Sequence, residues 1–112
     1  MIITESKALD LVDKYGSPLY VYDEKILRNR CKEIKNLLPN RNFKVNYSAK
    51  ANTNLEVLKI VNDEGLCVDA MSPGEIYIEQ MAGFKKEDIF YISNNVSKEE
   101  MATAPADSPC KV

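Results

Sequence analysis

The residues of this 112-residue chain whose types and settings can carry chemistry are Lys50, Asp69, Glu75 and the pair Asn94-Asn95. Lys50 closes a stretch, Phe43 to Ala49, in which apolar and polar residues alternate with a period of two, the mark of a two-faced strand. Directly after it, Leu55, Leu58 and Val61 recur at helical spacing and Gly65 ends the run. A primary amine at a strand's carboxyl end stands where parallel α/β folds bind ligands. Such an amine acts as a nucleophile when part of it is neutral, and burial favours the neutral form by disfavouring the ammonium ion. Taken alone, a lysine at a strand end reads first as a solvated surface charge. Lys44 lies at the wrong end of the same strand, and the remaining lysines fall on helices, loops or the tail.

Asp69 sits inside the apolar run Leu66-Cys67-Val68-Asp69-Ala70. An acid there is costly to bury without a partner, so it is either a strand-end carboxylate facing solvent or a site residue. Ser72-Pro73-Gly74-Glu75 has serine three residues before glutamate and proline at the first helical position. That capping box explains Glu75 without chemistry. Asn94 and Asn95 follow a third strand and read as loop-turn residues.

Composition narrows the classes. A net charge of −2 leaves no basic footprint for nucleic acid. No apolar run approaches a membrane span, and Met1-Ile2-Ile3-Thr4-Glu5 lacks the basic start and apolar core of a signal peptide. Cys31, Cys67 and Cys110 are odd in number and lack CxxC spacing, which points to reduced thiols in the cytoplasm and to neither a disulfide framework nor a metal site. The chain has no histidine, so a mechanism needing a histidine base must find it elsewhere.

These residues need elements to position them. Ser6 to Tyr15 reads as a helix with Ala8, Leu11, Val12 and Tyr15 on one face, stopped by Gly16. A turn at Ser17-Pro18 leads to a short strand, Leu19-Tyr20-Val21-Tyr22. Asp23 caps a second helix whose buried stripe is Leu27, Cys31, Ile34 and Leu38, ended by Pro39-Asn40. From Phe43 the order is strand, helix (54–64), strand (66–70), helix with Tyr77, Ile78 and Met81 as its apolar surface, strand (89–92), and a last helix opened by Ser97. That βαβαβα order predicts parallel strands. Pro105 and Pro109 forbid a long final helix, and 102–112 reads as a frayed or foreign tail.

Two stretches resemble a known family. Tyr47-Ser48-Ala49-Lys50-Ala51-Asn52 matches an aromatic-x-x-Lys-Ala-Asn motif, and 65–75 matches Gly-x-x-x-Asp-x-x-Ser-x-Gly-Glu along its whole length. Both resemble the fold-type III pyridoxal-phosphate decarboxylases, and among them the diaminopimelate decarboxylases. Residues 15–23 are similar to that family's opening segment. Ser93-Asn94-Asn95 is similar to its Gly-Asn-Asn stretch, with Ser93 in place of glycine and Val96 in place of a frequent lysine.

The resemblance implies a truncated N-terminal part of a (β/α)8 TIM barrel of the alanine racemase-like type. Residues 1–42 would lead in, 43–101 would form the first three β/α units, and 102–112 would be a non-matching tail. It implies pyridoxal 5'-phosphate as cofactor, held covalently by Lys50, with Asp69 beside it as an orienting site residue. It implies decarboxylation of meso-diaminopimelate to lysine, a small amino acid as substrate and a homodimer when complete. The family's phosphate loop, its acid for the pyridine nitrogen and its second domain are absent here, so the chain alone is expected to be inactive. Decarboxylation of ornithine or arginine on the same fold, and a non-catalytic remnant, are the alternatives.

Overall fold

A computed structural model describes residues 3–38, 43–92 and 97–103. Its centre is a three-stranded sheet in the order β1-β2-β3, formed by β1 (Asn46–Ser48), β2 (Cys67–Ala70) and β3 (Ile89–Tyr91). Both pairings are parallel, as the alternation of strands and helices predicts. The register sets Ser48 against Asp69 and Asp69 against Phe90. Because side chains alternate along a strand, these three form one row on one face of the sheet. Tyr47, Val68 and Ile89 form the next row, on the other face.

That second face is the core. Leu58 and Val61 of α3 (Leu55–Asp63) and Ile76 of α4 (Pro73–Met81) pack with Ala49, Val68, Ala70, Ile89 and Tyr91 in one buried cluster. Ser48, Asp69 and Phe90 on the opposite face are only half-buried. Among the described residues the sheet is thus covered by helices on one side and half-open on the other.

The helix boundaries follow capping chemistry. Thr4 Oγ1 accepts from Lys7 N to open α1 (Glu5–Tyr15), Asp23 Oδ1 accepts from Ile26 N to open α2 (Glu24–Lys35), and Asn54 Oδ1 caps α3. Ser72 Oγ accepts from Glu75 N at 3.2 Å, the first half of the expected capping box. The Glu75 carboxylate reaches back one residue beyond Ser72, to Met71 N. Gly65, at φ +74°, takes the left-handed turn after α3 that a side chain would strain. A short helix-like turn, Lys86–Asp88, leads into β3, and α5 (Lys98–Thr103) follows the strand.

Four expectations change. Leu19 to Tyr22 is extended but pairs with no described strand, and Tyr20 is 85% exposed. An extended run becomes a strand only when a neighbour takes its hydrogen bonds, and among the described residues none does. No residue of α1 is buried, and Val12 and Tyr15 of its anticipated stripe are exposed. In α2 only Cys31 is buried; Ile34 is exposed, and Leu38, the last residue of the expected stripe, lies beyond the helix end and is exposed too. In α4 the buried positions are Ile76 and Glu79, and Tyr77 and Met81 are exposed. Ile76 and Glu79, three residues apart, lie on one helix face, and the second member of this buried stripe is an acid.

Candidate active site

β1 is shorter than its alternation predicts. Pairing continues only through Ser48, and Ala49–Ala51 then winds into a single tight helical turn. Lys50 therefore lies on this turn, just past the strand's carboxyl end, and its residue is exposed. The turn closes when Asn52 N donates to the Ala49 carbonyl at 3.0 Å.

Asp69 stands on the adjoining strand, in register with Ser48. Its Oδ2 accepts from the Ser48 hydroxyl at 3.0 Å and its Oδ1 accepts from Ala49 N at 3.2 Å. The costly acid of the apolar strand thus has two partners, both from the segment that presents Lys50. No ion pair joins Lys50 to Asp69 among the described residues. The carboxylate meets the backbone one residue before the lysine. Sequence reasoning selected both residues but missed the Ser48 hydroxyl, which only the strand register reveals.

Asn52 Oδ1 accepts from Asn54 N at 2.9 Å, and Asn54 Oδ1 accepts from Glu56 N at 3.0 Å. The turn is therefore spliced to the capped start of α3. Beside it a cleft of about 420 Å³ is lined by Val21, Tyr22, Ile26, Tyr47, Ala51 and Asn52 among others. Glu75 has the structural role expected of it, with its side chain tied to Met71 N. Asn94 and Asn95 lie outside the described residues.

Sequence reasoning also missed Glu79. It is fully buried, and neither carboxylate oxygen has a hydrogen-bond partner among the described residues. Burial, reinforced by Glu75 and Asp69, pushes its acid up to about 8, so it is mostly protonated at neutral pH. At the opposite end of the sheet, Lys44 pairs with Asp88 at 2.8 Å and the Cys67 thiol lies 3.5 Å from the same oxygen. The Lys44 ammonium holds the Asp88 carboxyl below its usual range, and burial pushes the Cys67 thiol up. Lys44 is thus occupied away from the Lys50 turn, as its place at the strand's start implies.

The Lys50 amine, presented past a parallel strand on a turn anchored by the next strand's carboxylate, stands at the β/α edge where α/β folds bind their ligands. The family model for the pyridoxal binding domain of pyridoxal-dependent decarboxylases matches residues 24–108, and the chain belongs to that family. It is 42% identical over 106 residues to the diaminopimelate decarboxylase of Methanothermobacter thermautotrophicus, covering 93% of this chain and 25% of that protein. With the Bacillus subtilis enzyme of the same name it shares 40% identity over 99 residues, 87% of this chain and 23% of the other. The crystal structure of M. jannaschii diaminopimelate decarboxylase in complex with L-lysine superposes with a TM-score of 0.72 at 34% identity, over 87% of this chain and 24% of that one. The fold is that of the opening β/α units of a TIM barrel. The chain spans about a quarter of the length of the curated relatives it matches.

Proposed function

We propose that this sequence supplies the cofactor lysine of a pyridoxal-5'-phosphate-dependent decarboxylase acting on meso-diaminopimelate and yielding lysine. One observation carries the reading: Lys50 stands on a turn at the carboxyl end of β1, and Asp69 of β2 holds that turn by its backbone. The residues present fit the cofactor. An aldehyde needs a primary amine on a defined backbone, and Lys50 supplies one that is exposed and joined by no ion pair among the described residues.

When bound, pyridoxal phosphate supplies an electron-withdrawing ring that takes up the electron pair released as carbon dioxide leaves. Lys50 is the residue that would hold the cofactor covalently. Asp69 and Ser48 fix the near end of the turn, so that the amine starts from one backbone position. The division into a lead-in at 1–42, three β/α units at 43–101 and a tail at 102–112 belongs to the same proposal. So do a cytoplasmic location and a homodimer whose partner completes the site. The choice of substrate is supported by the names of the relatives and by the L-lysine complex of the M. jannaschii protein.

The test is carbon dioxide release from meso-diaminopimelate, ornithine and arginine by a full-length protein carrying this sequence, with added cofactor. Turnover of diaminopimelate, abolished by Lys50→Ala with the fold intact, is the expected result. Preference for ornithine or arginine would move the protein to another branch of the family, and activity persisting in Lys50→Ala would remove Lys50 from the site.

A further inference from the structure

The turn that carries Lys50 is fastened at both ends. The near end is the Asp69 clamp on Ala49 N. At the far end the Tyr47 hydroxyl donates to the Asn52 carbonyl at 3.1 Å, spanning the turn from strand to helix entry. Asn52 is itself tied forward, through Asn54 N, to the cap of α3. Tyr47 and Asn52 thus bracket Lys50, and the bond between them bypasses it.

The Tyr47 ring is set by packing. It is half-buried, lies in register with Val68, and lines the 420 Å³ cleft together with Val21, Ile26 and Val57. For that apolar wall a phenylalanine would serve. A hydroxyl there is costly unless it finds a partner, and its partner is the Lys50 turn. Burial pushes the Tyr47 phenol up, with Tyr22 and Cys31 adding to the shift, so the hydroxyl keeps its proton and remains a donor.

We infer that Tyr47 is a positioning residue for Lys50: its hydroxyl fixes the carbonyl end of the Ala49–Ala51 turn and so sets the direction in which Lys50 leaves the backbone. The inference rests on the reading that Lys50 holds the cofactor, and two readouts separate the two claims. One is amide hydrogen exchange at Asn52, whose N–H closes the turn. The other is the rate at which borohydride traps pyridoxal 5'-phosphate on Lys50.

Both are measured in a full-length protein carrying this sequence, as wild type and as Tyr47→Phe, which keeps the ring and removes one oxygen. Asn52 should exchange faster in the variant and trapping at Lys50 should slow by roughly three- to tenfold, the rate equivalent of one neutral hydrogen bond. Exchange at the buried Val68 amide should not change, which sets the effect apart from general loosening. Unchanged exchange at Asn52 overturns the hold on the turn, and faster exchange with unchanged trapping overturns the positioning role. If the wild type takes no label at Lys50, the cofactor reading fails, and exchange at Asn52 alone then decides whether the hydroxyl holds the turn.

Discussion

Asp69 and Glu79 are both acids in apolar surroundings, and they meet the cost of burial in different ways. Asp69 takes two donors, Ser48 Oγ and Ala49 N. Asp69→Ala leaves both donors unpaired, which costs about 1–3 kcal/mol each where they are buried and less where water reaches them. It should slow cofactor trapping at Lys50 more than it lowers the unfolding temperature of the full-length protein. A collapse in stability, with normal trapping by the molecules that remain folded, would make Asp69 a structural residue only. Among the described residues Glu79 takes no donor, and it keeps its proton instead. Below its ordinary value of 4.5 the acid is protonated folded or unfolded, and burial carries no ionisation penalty. As the pH rises from there towards 8, the unfolded chain releases the proton and the folded chain retains it. Stability should therefore fall by about 1.4 kcal/mol per pH unit across that window and level off above it. Denaturant midpoints between pH 5 and 9 should show this decline, and Glu79→Gln should flatten it. An equal decline in both proteins would mean that Glu79 is not the group responsible.

The elements that position the site were legible where local chemistry decides them. Asp23, Asn54, Ser72 and Gly65 mark helix ends by caps and by a left-handed turn, and the helices begin and stop there within a residue or two. What depends on a neighbour was not legible. Leu19 to Tyr22 has strand composition, but no described strand takes its hydrogen bonds. The alternation from Phe43 to Ala49 continues past the point where β1 stops pairing, because a period of two cannot report where the backbone leaves the sheet for the Ala49–Ala51 turn, although β2 itself runs on to Ala70. The Ser48–Asp69 and Tyr47–Asn52 bonds were missed too, since both depend on three-dimensional placement, although Lys50 and Asp69 themselves were singled out as candidates. Glu79 was missed because an acid does not count towards an apolar stripe, yet Ile76 three residues before it was the available signal. Arg28 was missed too. Its guanidinium spans α2 to α3, at 3.0 Å from Glu64 and 3.2 Å from Asp63, a contact between elements that single-sequence patterns do not encode. The cap on α3 gives a test at this scale. Asn54→Ala should cost about 1 kcal/mol of stability and also loosen the turn spliced to it, read as faster exchange at Asn52. A loss of stability with no change at Asn52 would separate the helix cap from the Lys50 turn.

At the scale of the whole molecule, the described residues present a sheet covered by helices on one face and half-open on the other. Among the described residues β1 and β3 each pair on one side only. Parallel sheets are normally covered on both faces, and open edges template association. The isolated chain should therefore sediment as a mixture of oligomers or as an expanded species, and it should release no carbon dioxide from meso-diaminopimelate. A sharp monomer with steady turnover would refute this picture of the architecture. The central claim is narrower and concerns one atom, the Lys50 amine. It is tested most directly by adding pyridoxal 5'-phosphate to a full-length protein carrying this sequence, reducing with borohydride and mapping the labelled peptide. The account predicts the pyridoxyl group on Lys50, within the peptide that contains Ala51-Asn52. A label on another lysine, with Lys50 unmodified, would contradict it.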